Sequence, residues 1–321
     1  MKLLTYRSGA ATAAGVLAGD LVHEAARLLG SGPIADVRAL LERGPDVLAQ
    51  LAAALAKASP AQGVPLAGLT LCAPVLQPPT IRDFMAYEGH ASMGGQWQLD
   101  ESFYRLPVFY FSNPLCVYGP GETVPFPSAS RKFDYELELA AVIGKGGSNI
   151  AAADAMDHIA GFTIFNDWSC RDLQRDEMTM NLGPAKGKDS ASSLGPMIIT
   201  RDEFGARLQG GQLSLRARVR VNGVEWADCT SAGMQHDWPA MIERASRDSR
   251  IAPGDIIGGG TMMGGSIPEA IRLGRPARYL QPGDVVEFDV EGIGILANTL
   301  GPQPALPADY RYAPPVKARK T

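Results

Sequence analysis

The chain has 321 residues, 45% hydrophobic and 20% charged, with a formal net charge of -4. That is globular material long enough for a substantial core, and its slight acidity argues against a nucleic-acid-binding surface, which carries a basic excess. Four scattered cysteines with no C-x-x-C pair argue against a thiolate zinc site or a redox motif, and no apolar run reaches the roughly 18 residues of a membrane span. The N-terminus lacks the continuous apolar core of a signal segment, so the expectation is a soluble cytoplasmic protein with reduced thiols.

In chain order, "KLLTYR" and "AAGVLAGDLV" predict two short strands, and "HEAARLLG" and "DVRALLERGPDVLAQLAAALAKA" carry helical apolar spacing. The Pro- and Gly-rich stretch "SPAQGVPLAGLTLCAPVLQPP" predicts a connector. The division expected is a small N-terminal α/β domain over 1–73 and a main domain over 74–321. From Pro79 the texture turns to short strand-like runs. "LSLRARVRVNGVEWADC" alternates about Asn222-Gly223, a hairpin signal, and "GDVVEFDVEGIGILANTLG" predicts a second strand pair. Helices are sparser, at "AAADAMDHIAG", "CRDLQRDEM" and "WPAMIERASRD", and the Pro-rich tail from Gly301 is expected to run extended over the surface. The fold class expected is α+β, dominated by strands.

The strand "KFDYELELAAVIG" sets Asp134, Glu136 and Glu138 at alternate positions, which predicts all three carboxylates on one face with Leu137 and Leu139 on the other. An exposed edge strand carries charges of this kind to deter pairing. Here the opposite face reads as core. Like charges on one buried face repel and stay protonated unless a cation compensates them. Glu136 and Glu138, about 7 Å apart along a strand, supply two hard oxygens for a divalent metal. Oxygen ligands without Cys or His favour magnesium, calcium or manganese over zinc.

Asp167 stands at the end of the strand-like "GFTIFN", as a further ligand or as a cap for the next helix. "TIRDFMAYEGH" adds Asp83, Glu88 and His90, the last a candidate to take a proton from water beside a metal. His23, His158 and His236 are expected on the surface or in packing. "NLGPAKGKDSASSLGP" is not a phosphate loop, because Leu182 stands where the first Gly is required and Asp189 where Ser or Thr is. It predicts either a solvated loop or a mobile segment delivering Lys188 to an anionic substrate. "GDIIGGGT" brings Gly residues to Thr261, for a turn or for close approach to a ligand.

Together "DFMAYEGH", "PVFYF", "DYELELAAVIG", "FNDWSCRDLQ", "GKDSASSLGP", "GDIIGGGT" and "PGDVVEFDVEGIGILANTLG", in this order from about Pro79 to Gly301, resemble the fumarylacetoacetate hydrolase family. The resemblance implies a mixed β-sandwich roll with an N-terminal accessory domain, and a homodimer. It implies Glu136, Glu138, Asp167 and Asp83 as ligands of a divalent cation, magnesium first and manganese or calcium as alternatives. It implies His90 as general base, and Tyr110, Arg171, Gln174, Lys188 and Thr261 lining the substrate site, with Lys188 acting in catalysis. Met93 stands where shorter members carry a Glu that pairs with the His, which leaves Glu88 and Glu101 as candidates to orient His90. The activity implied is hydrolysis of a carbon–carbon bond in a 1,3-diketo acid of the fumarylacetoacetate or acylpyruvate type, as in aromatic catabolism. Decarboxylation of oxaloacetate, or isomerisation or hydration of a 2-oxo acid, is the alternative on the same platform. A metal-stabilised binding protein without catalysis is the alternative from outside enzymology.

Overall fold

The computed structural model describes residues 1–310. Strands dominate it, as expected, and most of them belong to two sheets. The larger sheet runs, in spatial order, Val64–Pro65, Leu21–Glu24, Ala11–Ala18, Lys2–Ser8, Ser192–Thr200, Ile159–Asp167, Leu137–Ile143, Ile256–Gly258, Ile81–Phe84 and Phe109–Ser112. The smaller runs Val224–Thr230, Arg216–Val221, Val285–Val290, Gly294–Leu300 and Thr123–Val124. One apolar core holds Leu139 and Ile164 of the first sheet with Val219, Phe288 and Leu296 of the second, the packing of a sandwich. A second core lies where Val37, Leu40 and Leu51 of the N-terminal helices join Ala140, Val142 and Ile198 of the large sheet.

The central strand Leu137–Ile143 is buried along its whole length. Leu137, Leu139, Ala141 and Ile143 enter the first core, and Ala140 and Val142 the second. A strand covered on both faces reads as an unbroken apolar run. Glu138 shares the parity of Ala140 and Val142 and sits at the strand's entrance, next to Glu136.

The Asn222-Gly223 hairpin forms as predicted, with both residues at positive φ (51° and 78°) and Val221 opposite Val224. Four local expectations are corrected. "AAGVLAGDLV" is two strands, because the chain turns at Gly19 (φ 59°). The long helix over 36–58 is two, Val37–Leu41 and Val47–Leu55, interrupted by Gly44 (φ 114°) and Pro45. "AAADAMDHIAG" is a 3-10 helix at Ala152–His158 leading into a strand. Asp134 is not on the central strand: Phe133–Asp134 pairs separately with Ser169–Cys170. The first 65 residues extend the large sheet, Lys2 pairing with Ile199 and Leu3 with Ile198. The tail from residue 311 lies outside the described residues.

Candidate active site

Four neighbouring strands converge their functional side chains at one end of the large sheet. Asp83 lies on Ile81–Phe84, between Gly258 on one side and Tyr110 on the other. Glu138 is the second residue of the central strand, and Asp167 closes the strand beside it. Gly258 is what lets Asp83 lie here, since a Cβ at that position would stand 2.2 Å from Asp83 Oδ1. The Gly-rich segment after it brings Gly260 and Thr261 to the wall of a cavity. The Gly260 N–H donates to Glu138 Oε2 (3.0 Å) and the Thr261 hydroxyl to Glu138 Oε1 (3.2 Å).

One cavity of about 200 Å³ is lined by Asp83, His90, Tyr110, Glu136 and Glu138, and also by Arg171, Gln174, Lys188 and Thr261. Asp167 adjoins it through Tyr110 Oη (2.5 Å) and Lys188 Nζ (2.5 Å). Every residue expected at the site is therefore brought to one place. Lys188 does not stand in a solvated loop. It is buried, donating to Glu136, to Asp167 and to Ser169 Oγ (2.6 Å). Arg171 donates to Asp134 Oδ2 (2.6 Å), Glu136 Oε1 (2.6 Å) and Gln174 Oε1 (3.2 Å). Asp167 caps no helix. Its neighbour Asn166 instead accepts from the Glu136 N–H (3.1 Å).

Charge balance separates the carboxylates into two groups. Asp83, Asp134, Glu136, Glu138 and Asp167 are five buried acids, and Arg171 and Lys188 are two permanent cations, which leaves three negative charges. Glu136 is the most fully matched, pairing with both cations, while Asp134 pairs with Arg171 alone and Asp167 with Lys188 alone. Burial pushes the Glu136 carboxyl up, but Arg171, Lys188 and His90 together hold it well below the usual range. Glu138 is pushed well above that range by burial and then by Asp83, Glu136 and Asp167. Asp167 is raised by burial despite the opposing Lys188 ammonium. Burial likewise raises Asp83, to about 6.

Of the four acids whose carboxyls are raised, three meet. Asp83, Glu138 and Asp167 each present a carboxylate oxygen within 4.8 Å of the other two. Asp83 Oδ1 and Asp167 Oδ1 are buried with no hydrogen-bond donor. Buried carboxylate oxygens that repel one another and lack donors fit a hard divalent cation. The residues present therefore suit the group expected from sequence.

His90 lies on the short helix Glu88–Ala91, and its Nε2 is 3.6 Å from Glu136 Oε1. Its Nδ1 is 3.1 Å from Glu269 Oε2, within ion-pair reach though off the line of a hydrogen bond. Glu269 is fully buried, and its Oε2 accepts from the Ser266 hydroxyl (2.7 Å). Nothing in the sequence singles out this carboxylate, because "SIPEA" reads as the first turn of a helix. Of the expected partners of His90, Glu88 instead accepts from the Tyr104 hydroxyl (2.7 Å), and Glu101 begins a separate helix, Glu101–Arg105. His23, His158 and His236 are all buried, so they are packing residues and not surface ones.

The sequence matches the fumarylacetoacetate (FAA) hydrolase C-terminal family over residues 80–301. It is 32% identical to the oxaloacetate tautomerase YisK of Bacillus subtilis over 218 residues, 67% of this chain and 67% of that protein. A mitochondrial oxaloacetate tautomerase of Bos taurus is 30% identical over 259 residues, 80% of this chain and 77% of that one. Among solved structures, the 5-carboxymethyl-2-hydroxymuconate delta-isomerase of Mycobacterium smegmatis is similar with a TM-score of 0.67 at 26% identity, across 94% of this chain and all (100%) of that one. No helix among the described residues is long and apolar enough to cross a membrane.

Proposed function

We propose a function from one premise: this chain belongs to the fumarylacetoacetate hydrolase family. The function is divalent-cation-dependent proton transfer on a 2-oxo acid, that is, keto–enol tautomerisation or the closely related shift of a double bond. The observation that carries it is that His90, with Glu269 beside its Nδ1, lines the same cavity as Asp83 and Glu138, whose oxygens cluster with that of Asp167. The tautomerase and isomerase relatives support the same chemistry.

Asp83, Glu138 and Asp167 would hold the cation, magnesium being the first candidate, with Glu136 beside them as the fourth carboxylate expected from sequence. When bound, such an ion polarises the 2-oxo group as a Lewis acid. Glu269 favours the proton on His90 Nδ1, which leaves Nε2 free to accept one from the substrate carbon next to the carbonyl and return it. Lys188 and Arg171 add positive charge at the cavity floor, where negative charge develops on oxygen. Burial and the neighbouring acids keep the Tyr110 phenol protonated, so it remains a donor to Asp167.

Hydrolysis of a 1,3-diketo acid is the second reading, favoured by the same pair, since a histidine oriented by a carboxylate can take a proton from water. The decisive measurement follows the enol absorbance of oxaloacetate and of an acylpyruvate, with magnesium or with a chelator, and assays free pyruvate. Loss of enol absorbance without pyruvate indicates tautomerisation; stoichiometric pyruvate together with the free carboxylic acid from the acylpyruvate indicates hydrolysis, and pyruvate from oxaloacetate indicates decarboxylation. His90→Asn is expected to slow turnover by about 100- to 10,000-fold while leaving calorimetric magnesium binding intact. Full activity in His90→Asn, or in chelated protein, would remove this mechanism.

A further inference from the structure

Of the five buried acids at this end of the sheet, Asp134 alone neither lines the cavity nor belongs to the carboxylate triad. Proton transfer as derived above gives it no part. Charge does not explain it either. Arg171, its ion-pair partner, is already held by Glu136, and the five acids outnumber the two cations. A buried carboxylate that the charge balance does not need is costly.

Asp134 divides its two oxygens between two elements. Oδ2 accepts from Arg171 Nε (2.6 Å), at the start of the helix Arg171–Met178. Oδ1 accepts from the N–H of Ile267 (2.9 Å), the first residue of the helix Ile267–Arg272 that carries Glu269. That helix has no side-chain cap of its own. The Ser266 hydroxyl, placed to cap it, donates to Glu269 Oε2 instead, and Pro268 has no N–H to offer. The Ile267 N–H is therefore satisfied from outside the helix.

Both ties lead to His90. Arg171 Nη2 donates to Glu136 Oε1, which lies 3.6 Å from His90 Nε2, and Glu269 Oε2 lies 3.1 Å from His90 Nδ1. The two carboxylates that flank the imidazole are thus each tied to Asp134 through one intermediary. The Asp134 backbone is itself held, since Phe133–Asp134 pairs with Ser169–Cys170 and the Phe133 ring stacks on Trp168 (5.4 Å). Orientation of a reacting group depends on a supporting shell that is fixed in this way.

Resting on the reading in which His90 moves the proton, we propose that Asp134 is a positioning residue: it fixes Arg171 and the Glu269 helix together, and so sets the orientation of His90 without touching substrate.

The test is a double-mutant cycle on the tautomerisation of oxaloacetate by the magnesium-loaded protein at saturating substrate. Asp134→Asn keeps the shape of the side chain, but one acceptor becomes an NH2 group facing a donor, so one of the two ties is lost. Turnover is expected to fall about 10- to 100-fold, with near-ultraviolet circular dichroism and calorimetric magnesium binding retained. In a His90→Asn background the same substitution is expected to cost less than about twofold, because the group it acts through is gone. A protein that is merely less well folded loses the same factor in both backgrounds. Ile267→Pro is the second variant. It removes the N–H and leaves the carboxylate and the Arg171 pair in place, proline being accepted at the first position of a helix. It is expected to lower turnover in the same way, and likewise to add nothing to His90→Asn. Unchanged turnover in either folded variant, or equal losses with and without His90, would overturn the role of Asp134 alone. A fully active His90→Asn protein would overturn the proton-transfer reading and this assignment with it.

Discussion

Asp83 shows what burial without a matched charge does to one residue. Its carboxyl is pushed up to about 6 by burial, against the pull of Glu138 and of the Lys188 ammonium. An unperturbed aspartate titrates near 3.9. A raised folded-state value means that the folded protein prefers the protonated acid, so without a cation stability falls as pH climbs from about 4 through 6. Glu138 and Asp167, raised further, extend that window upward. A cation requires the ionised acids, so its binding must expel these protons. Magnesium affinity measured by calorimetry is therefore expected to drop about tenfold between pH 6 and pH 5, with proton uptake on release. A flat profile across that range would show that Asp83 is not part of the cation site. Glu136 and Glu138 stood out because an acid beside an apolar strand is costly to bury unless a cation meets it there, whereas Asp167 read equally as a helix cap and Asp83 stood out as a ligand only through the family resemblance. Glu269 was not legible, since it opens an ordinary helix and meets His90 only through the fold, 179 positions earlier in the chain.

At the scale of elements, a glycine on one strand makes room for a carboxylate on the next. The space over Gly258 is filled by Asp83 Oδ1, 2.2 Å from where a Cβ would stand. Gly258→Ala is expected to push Asp83 out of the triad and to weaken magnesium binding by at least tenfold, with the circular-dichroism spectrum unchanged. Undiminished binding would mean that the triad does not depend on that strand pairing. The hairpin at Asn222-Gly223 and the helix Arg171–Met178 were readable because local turn chemistry and helix formers decide them. The break before Leu137 was not readable. Alternation continues through Asp134 in the sequence, but Asp134 is drawn away by Arg171 and by the Ile267 N–H (2.9 Å), partners that only tertiary structure supplies. The Gly44-Pro45 interruption was written plainly in the chain, and the run of helix formers on both sides outweighed it.

Across the whole molecule, the two-sided burial of the central strands was legible as runs such as "LAAVI", and the second sheet as alternating hairpins. How the N-terminal segment joins the rest was not, because strand order between distant segments leaves no periodic trace in the sequence. Lys2–Ser8 lies against Ser192–Thr200, and Ser192–Thr200 against the strand that ends in Asp167. Only two strand-to-strand steps therefore separate the first residues from the carboxylate triad. Linked in this way, the edges and the centre should melt in concert. Scanning calorimetry is expected to show a single endotherm, and a version lacking residues 1–73 is expected to aggregate with Leu194 and Ile198 uncovered. Two resolved endotherms, or a well-behaved shortened protein, would show that the accessory segment folds on its own account.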